Sequence, residues 1–282
     1  MHEILVGFSL IYWNNETLIQ GIEEISEFGF PGFEGTPHLV SRYEDRIDVF
    51  SEILARTDIE LIAIVNQSNF LIDDKREEEV EIDMNIARFL HNVGAQFLVV
   101  TCGPRRPEGN TDQDWKNLVE SLEELGERSL DSSITLCVMP FHGTIVSSAE
   151  DIDRLMESTS SDKVKLCVDI GECRASLVDS VELMDKYFDR IPYVRFRDVL
   201  DRRMIGRAKD IRKARKSEDR IYQPVGVPFG RGLSQMKRAW DFLSEREFEG
   251  WTMAVVEEPR SRARSVLIAS RDYLEEHMEL IF

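Results

Sequence analysis

Several apolar runs of this chain end in residues able to do chemistry. Val164–Val168 leads into Asp169, with Glu172 three positions on; Tyr193-Val194-Arg195-Phe196-Arg197 carries two arginines and reaches Asp198; the run from Thr252 closes on Glu257 and Glu258. A charge at the end of a buried run needs a counter-charge, a metal or a ligand to hold. Glu34 closes Gly32–Gly35, Trp13 and Asn14 follow the first run, and His142 stands beside Gly143 after the fifth. With Thr36, His38, Asn66, Gln67, Thr101, Arg105, Arg106, Met139 and Phe141, these form a set rich in carboxylates, amides and arginine, with aromatic walls. It suits a small polyhydroxylated or anionic molecule and fits an apolar ligand poorly. Glu257, Glu34 and His142 are the groups of the right type to move a proton; Trp13, Asp169, Glu172, Arg195 and Arg197 are candidate substrate contacts. Each also has a plain structural reading. Asp169 could simply bridge to Arg195, Glu34 to a neighbouring arginine, Glu257 could be a solvated strand end, and His142 a hydrogen-bonded loop residue.

The elements that must position these residues alternate regularly. Strand patterns run over Ile4–Leu10, Gly32–Gly35, Leu61–Asn66, Phe97–Cys102, Ile134–Pro140, Val164–Asp169, Tyr193–Arg197 and Thr252–Glu257, with helical patterns over 15–28, 43–56, 74–93, 112–128, 148–157, 175–188, 233–246 and 262–279. Thr111-Asp112 and Ser147-Ser148 offer N-terminal caps, and Gly29 and Gly94 offer helix stops. Near-continuous apolar strands between helices imply parallel strands covered on both faces, and the simplest closed form is a (β/α)8 TIM barrel in a single domain over residues 1–282. An open doubly wound sheet lacks its glycine-rich signature after the first strand. In such a barrel the working face is the C-terminal end of the strands, where all the residues above fall. One connection is long: 199–231, within which Asp201–Arg220 holds nine basic residues (Arg202, Arg203, Arg207, Lys209, Arg212, Lys213, Arg215, Lys216, Arg220) and reads either as a lid over an anionic group or as a solvated helix.

Composition bounds the partners. A net charge of -18, with nine lysines among 35 basic residues, argues against general nucleic-acid binding and for a dispersed acidic protein. No apolar run reaches membrane-spanning length and the first residues enter a strand pattern without the features of a signal peptide, so a cytoplasmic protein with no membrane partner is expected. The four cysteines form no CxxC pair, and Cys137 and Cys167 lie in apolar runs, as buried thiols in a reducing compartment would.

Six segments, in order, resemble the xylose-isomerase-like barrels, a superfamily of sugar and sugar-phosphate isomerases and epimerases that also includes endonuclease IV. They are Phe28–Glu34, Ile134–Thr144, Leu166–Glu172, Tyr193–Val199, Pro224–Gly232, and Phe248–Trp251 with Glu257. The resemblance implies proton transfer next to a carbonyl and one divalent cation (Mn, Mg, Zn or Co) held by Glu, Asp, His and Glu from strands five to eight. This chain departs from that set: Met139 and Arg195 stand at the first and third positions, Asp169 is kept, and the fourth is Glu257, or Val255 if Trp251 fixes the register. The sixth-strand histidine is Glu172. A fixed arginine about 4 Å from a divalent ion would cost roughly 4 kcal/mol per unit charge product at an effective dielectric near 20, about three decades of affinity. A metal site on Asp169 and Glu257 is therefore expected to be weak or absent, with Arg195 as resident cation paired to Asp169 and to Glu257. Within this resemblance the reading is a sugar or sugar-acid isomerase/epimerase-like protein. The alternatives are a sugar-acid dehydratase, which Arg195–Val199 also resembles, and a non-catalytic barrel that binds a sugar or metabolite. The endonuclease reading conflicts with the acidic charge and with only five histidines, two of them in helical patterns. Barrels of this kind often pair, which leaves a homodimer open.

Overall fold

Strand alternation sorts the side chains of each apolar run between two destinations, a helical shell and a lumen. In the computed structural model, which describes residues 4–201, 224–257 and 263–282, eight parallel strands close into a barrel. They are β1 (Leu5–Ser9), β2 (Gly32–Gly35), β3 (Glu60–Ser68), β4 (Phe97–Cys102), β5 (Thr135–Val138), β6 (Val164–Asp169), β7 (Tyr193–Arg197) and β10 (Trp251–Val255), with β10 pairing β1 to complete the ring. A short antiparallel pair, β8 (Val199–Asp201) with β9 (Pro224–Gly226), stands beyond β7. It brackets most of the basic run read from the sequence; residues 202–220 of that run, and Glu258, lie outside the described residues.

The two destinations are distinct apolar clusters. Val194 and Phe196 of β7, Leu166 and Val168 of β6 and Ala254 of β10 join the shell packed on the helices. Phe97, Val99, Cys137, Cys167, Tyr193, Trp251 and Met253 fill the lumen. Glycine appears in β1 and β2 because the lumen has no room left there. A Cβ on Gly32 would meet Trp251 at 2.9 Å, and one on Gly7 would meet the Met253 thioether at 2.9 Å. The lumen is thus a packed core up to the level of Met253, and only the level above it is polar.

The helices are α1 (Leu18–Glu27), α2 (His38–Tyr43), α3 (Ile47–Thr57), α4 (Arg76–Asn92), α5 (Asp112–Asp131), α6 (Ala149–Ser158), α7 (Ile170–Ala175), α8 (Ser180–Lys186), α9 (Met236–Glu245) and α10 (Ala263–Met278). Thr111 and Ser148 build full capping boxes with Asp114 and Asp151, and Gly29 and Gly94 take positive φ at the stops of α1 and α4. Two short helices lie outside the expected patterns. α2 precedes the helix expected over 43–56, which starts as α3 at Ile47. α7 precedes the one expected over 175–188: it starts directly on Asp169, whose carboxylate accepts the Glu172 amide at 2.9 Å, and Leu177 at φ 59° separates it from α8. All four cysteines are free and buried.

On the shell side, Asp83 of α4 is fully buried beside Asn66, which donates to its Oδ1 at 2.7 Å, while Oδ2 has no partner. Burial pushes this carboxyl up to about 7. The folded chain therefore holds the proton more tightly than the unfolded chain, so the stabilisation is complete below pH 4 and is lost as pH rises through 7. Asp83→Asn should remove this dependence: in denaturant melts the variant should gain about 1.4 kcal/mol on wild type per pH unit between about pH 4 and 7, and nothing further above 7. Parallel stability profiles of the two proteins from pH 4 to 7 would contradict the assignment.

Candidate active site

Parallel register places side chains of neighbouring strands on one face at one level. Asp169 pairs with Arg195, and Arg195 with Met253; Val255 pairs with Arg197. Arg195 therefore points into the lumen just above the apolar fill, where it is 4% exposed. Its guanidinium forks onto Glu34 of β2, Nε to Oε2 at 2.9 Å and Nη2 to Oε1 at 3.0 Å, and its Nη1 donates to Asp169 Oδ2 at 2.8 Å. The Met139 sulfur lies 3.1 Å from the same Nη1. Glu34 takes two further donors, the Ser9 hydroxyl at 2.7 Å and the Tyr193 phenol at 3.0 Å. Burial opposes the charge on Arg195, but Glu34 and then Asp169 outweigh it and hold the group above its ordinary range. Burial and the Glu34 charge push the Tyr193 phenol up, so it stays a donor.

Arg197, one turn of the pleat further out, heads a second layer. It is 5% exposed. Its Nε lies 3.4 Å from Asp169 Oδ1, its Nη2 bridges to Glu172, and its Nη1 donates to Glu257 Oε2 at 3.2 Å. Burial works against this charge too, and Asp169 and Glu257 overcome it. Glu172 is held from the other side by the His142 backbone amide, 2.8 Å from Oε2. Glu257, at the outer end of the layer, has a side chain 39% exposed, whereas those of Asp169 and Glu172 are 0% and 2% exposed.

The mouth thus sets four carboxylates against two guanidiniums among the described residues. Both oxygens of Glu34, Asp169 and Glu172 are engaged by N–H or O–H donors or by a guanidinium. Among the described residues, what remains for an incoming molecule is Glu257 and the Arg197 Nη1 that meets it. A divalent cation needs several oxygen or nitrogen ligands converging on one point. The ring offers a thioether and a guanidinium at two of the four expected positions and a spent Asp169 at another, so the residues present do not fit that group. No set of three or more His, Cys, Asp or Glu suited to a metal occurs among the described residues.

Of the residues singled out from the sequence, Glu34, Asp169, Glu172, Arg195, Arg197 and Glu257 converge here. Two details differ from expectation. Arg195 takes Glu34 as its second partner, and Glu257 belongs to Arg197. His142 reaches the cluster through its backbone amide. Trp13 does not join it: its ring packs over Gly21 and its indole N–H donates to Glu24 on α1 at 3.2 Å. Ser9 and Tyr193 escaped the sequence reading. The signal for Tyr193 was its period-two spacing from Arg195 and Arg197, which puts all three on the lumen face.

The xylose isomerase-like TIM barrel family matches residues 22–281, and the chain belongs to it. It is 26% identical to the inosose dehydratase of Clostridium perfringens over 98% of either chain. Among solved structures it is similar to the 3-keto-D-glucoside 4-epimerase of E. coli, with a TM-score of 0.75, 17% identity and coverage of 99% and 100%. It is similar also to the IolI protein with a bound zinc atom, with a TM-score of 0.75, 15% identity and coverage of 98% and 100%.

Removing Arg195 leaves Glu34 and Asp169 as facing, uncompensated charges in a dry layer. Arg195→Met should cost about 3–5 kcal/mol, and Arg195→Lys should recover part of that, since an ammonium restores charge but not the fork. Chemical denaturation measures both; a loss under 1 kcal/mol for Arg195→Met would show that the pair is not coupled as described.

Proposed function

We propose that this xylose isomerase-like barrel is an enzyme that moves a proton next to the carbonyl of a small, neutral, polyhydroxylated ketone or aldehyde, with Glu257 as the base. The observation that carries the reading is the Arg197–Glu257 pair. In a cluster whose other acids are buried and saturated, Glu257 is half-exposed, and its Oε1 has no partner among the described residues. Arg197, kept charged by its neighbours, offers an N–H edge to a carbonyl oxygen that becomes negative as the proton leaves. Four carboxylates around two guanidiniums favour a neutral sugar or cyclitol over a carboxylate at this mouth.

The balance of the step is simple. Glu257 takes the proton from the carbon beside the carbonyl, and the C–H electron pair becomes the enolate held by Arg197. Return of a proton to the other face of that carbon gives an epimer; return to the former carbonyl carbon, with the hydroxyl proton of the deprotonated carbon passing to the enolate oxygen, gives an isomer. Alternatively, the enolate expels a hydroxyl from the next carbon, which leaves as water with the proton that Glu257 had taken. The inosose dehydratases, similar over nearly the full length, support the eliminating outcome. Both outcomes use the same base and the same cation. Burial fixes Asp169, Glu172 and Glu34 as the frame that orients Arg197 and Arg195, so these three are positioning groups in this scheme.

Incubating the protein in D2O with a panel of inososes and ketoses should show deuterium entering beside the carbonyl, or loss of one water. Glu257→Gln should slow either process by at least ~100-fold while leaving the melting temperature within a few degrees of wild type. Binding of a panel member without exchange or water loss would instead support a non-catalytic sugar-binding barrel.

A further inference from the structure

The short helix α7 faces two ways. Glu172 reaches inward to Arg197, and Arg174, two residues on, leaves the helix on nearly the opposite side. There a cavity of about 200 Å³ opens between the segment 174–180 and the start of α9. Its polar lining is Arg174, Asp179, Ser180, Ser234, Gln235 and Arg238.

Donors outnumber acceptors in this cavity. Arg174 makes no ion pair among the described residues, and its Nε is buried without a hydrogen-bond partner. Asp179 is the one carboxylate of the lining among the described residues, and it is spent: it accepts the amides of Val181 and Glu182 at 3.0 and 3.1 Å and Arg238 Nη1 at 2.6 Å. Ser180 is buried, with no hydrogen bond from its hydroxyl among the described residues, and the Ser234 hydroxyl, which accepts the Val199 amide at 3.1 Å, still has its own proton to give. Gln235, the N-cap of α9, takes a left-handed conformation and supplies no side-chain cap, so first-turn amides at the cavity have no side-chain acceptor. Arg174 without an ion pair, two hydroxyls, an uncapped helix start and a second guanidinium, Arg238, whose Nη1 is held by Asp179 and Gln235, thus converge in a chain of net charge -18.

We infer that this cavity is a binding site for a phosphate-class oxyanion, with Arg174 as its principal charge contact and Ser180 as a hydroxyl donor. The volume holds a phosphate or a small phosphate ester, and a tetrahedral oxyanion presents enough acceptors for the converging donors. The site lies behind α7, away from the Arg197–Glu257 pair, so it stands apart from the proton-transfer reading above.

Titration of the full chain with inorganic phosphate, glycerol 3-phosphate and sodium chloride at matched ionic strength tests it, read by calorimetry and by the shift in melting temperature. The expected result is saturable binding of at least one phosphate compound and no saturable response to chloride. Saturation by inorganic phosphate identifies a free anion as sufficient; saturation by glycerol 3-phosphate alone identifies an ester-bound group. Arg174→Gln should weaken binding by about tenfold or more, Arg174→Lys less, and Ser180→Ala, which alters no charge, severalfold. Glu257→Gln should leave it unchanged. A response to chloride equal to that of both phosphate compounds would overturn the assignment, as would affinity unaltered in both Arg174→Gln and Ser180→Ala.

Discussion

Among the described residues, four carboxylates share the mouth of this barrel with two guanidiniums, and the geometry of the groups near them follows from that imbalance. Each arginine must serve more than one acid. Arg195 does so with a planar fork on Glu34 and a third N–H on Asp169; Arg197 reaches Asp169, Glu172 and Glu257. A lysine could not span these directions, because its ammonium is a point charge without the fixed fork of a guanidinium. The hydroxyls of Ser9 and Tyr193 and the amide of His142 supply the remaining donors. The outcome is a layered plug: apolar side chains up to Met253, then a saturated ionic layer on Arg195, then a looser one on Arg197 that ends at the half-exposed Glu257.

This layering separates frame from working surface. A buried ion pair adds little net stability, since desolvation offsets its attraction, but breaking it is costly. The inner layer is therefore best understood as a fixed electrostatic floor whose positive charge is the Arg195 guanidinium. The residues open to a ligand are the outer ones. In the proposed reaction, the cation that meets the developing enolate is built into the chain by strand β7 itself, and the acid facing it comes from the residues just past the end of β10.

Much of this was legible in the residues. Eight apolar runs gave eight barrel strands, because strands buried on both faces leave a continuous apolar signature. The anomaly at Arg195 was also visible, since its type conflicts with a metal-binding layer. Glu34 as its main partner was not, because the contact spans 161 positions and depends on closure of the ring, which brings β2 across from β7. The sequence placed Trp13 near the mouth by its position after the first strand. Only the packing of α1, where Gly21 leaves space for the indole, reveals that the ring turns outward. The separate helix α7 was hidden for a related reason: Asp169 is at once a strand end, a helix cap and an ion-pair partner, and Leu177 carries no mark of its left-handed backbone. The role of Tyr193 needed the strand register that puts it on the face of Arg195.

The account stands or falls on Arg195 as the resident cation of this layer. Elemental analysis of protein purified with manganese, zinc and magnesium present tests this most directly, run on wild type and on Asp169→Asn. The predicted result is well under one equivalent of any divalent ion per chain in both proteins. One equivalent in wild type that is lost in Asp169→Asn would show that a metal displaces the guanidinium, and would contradict the account.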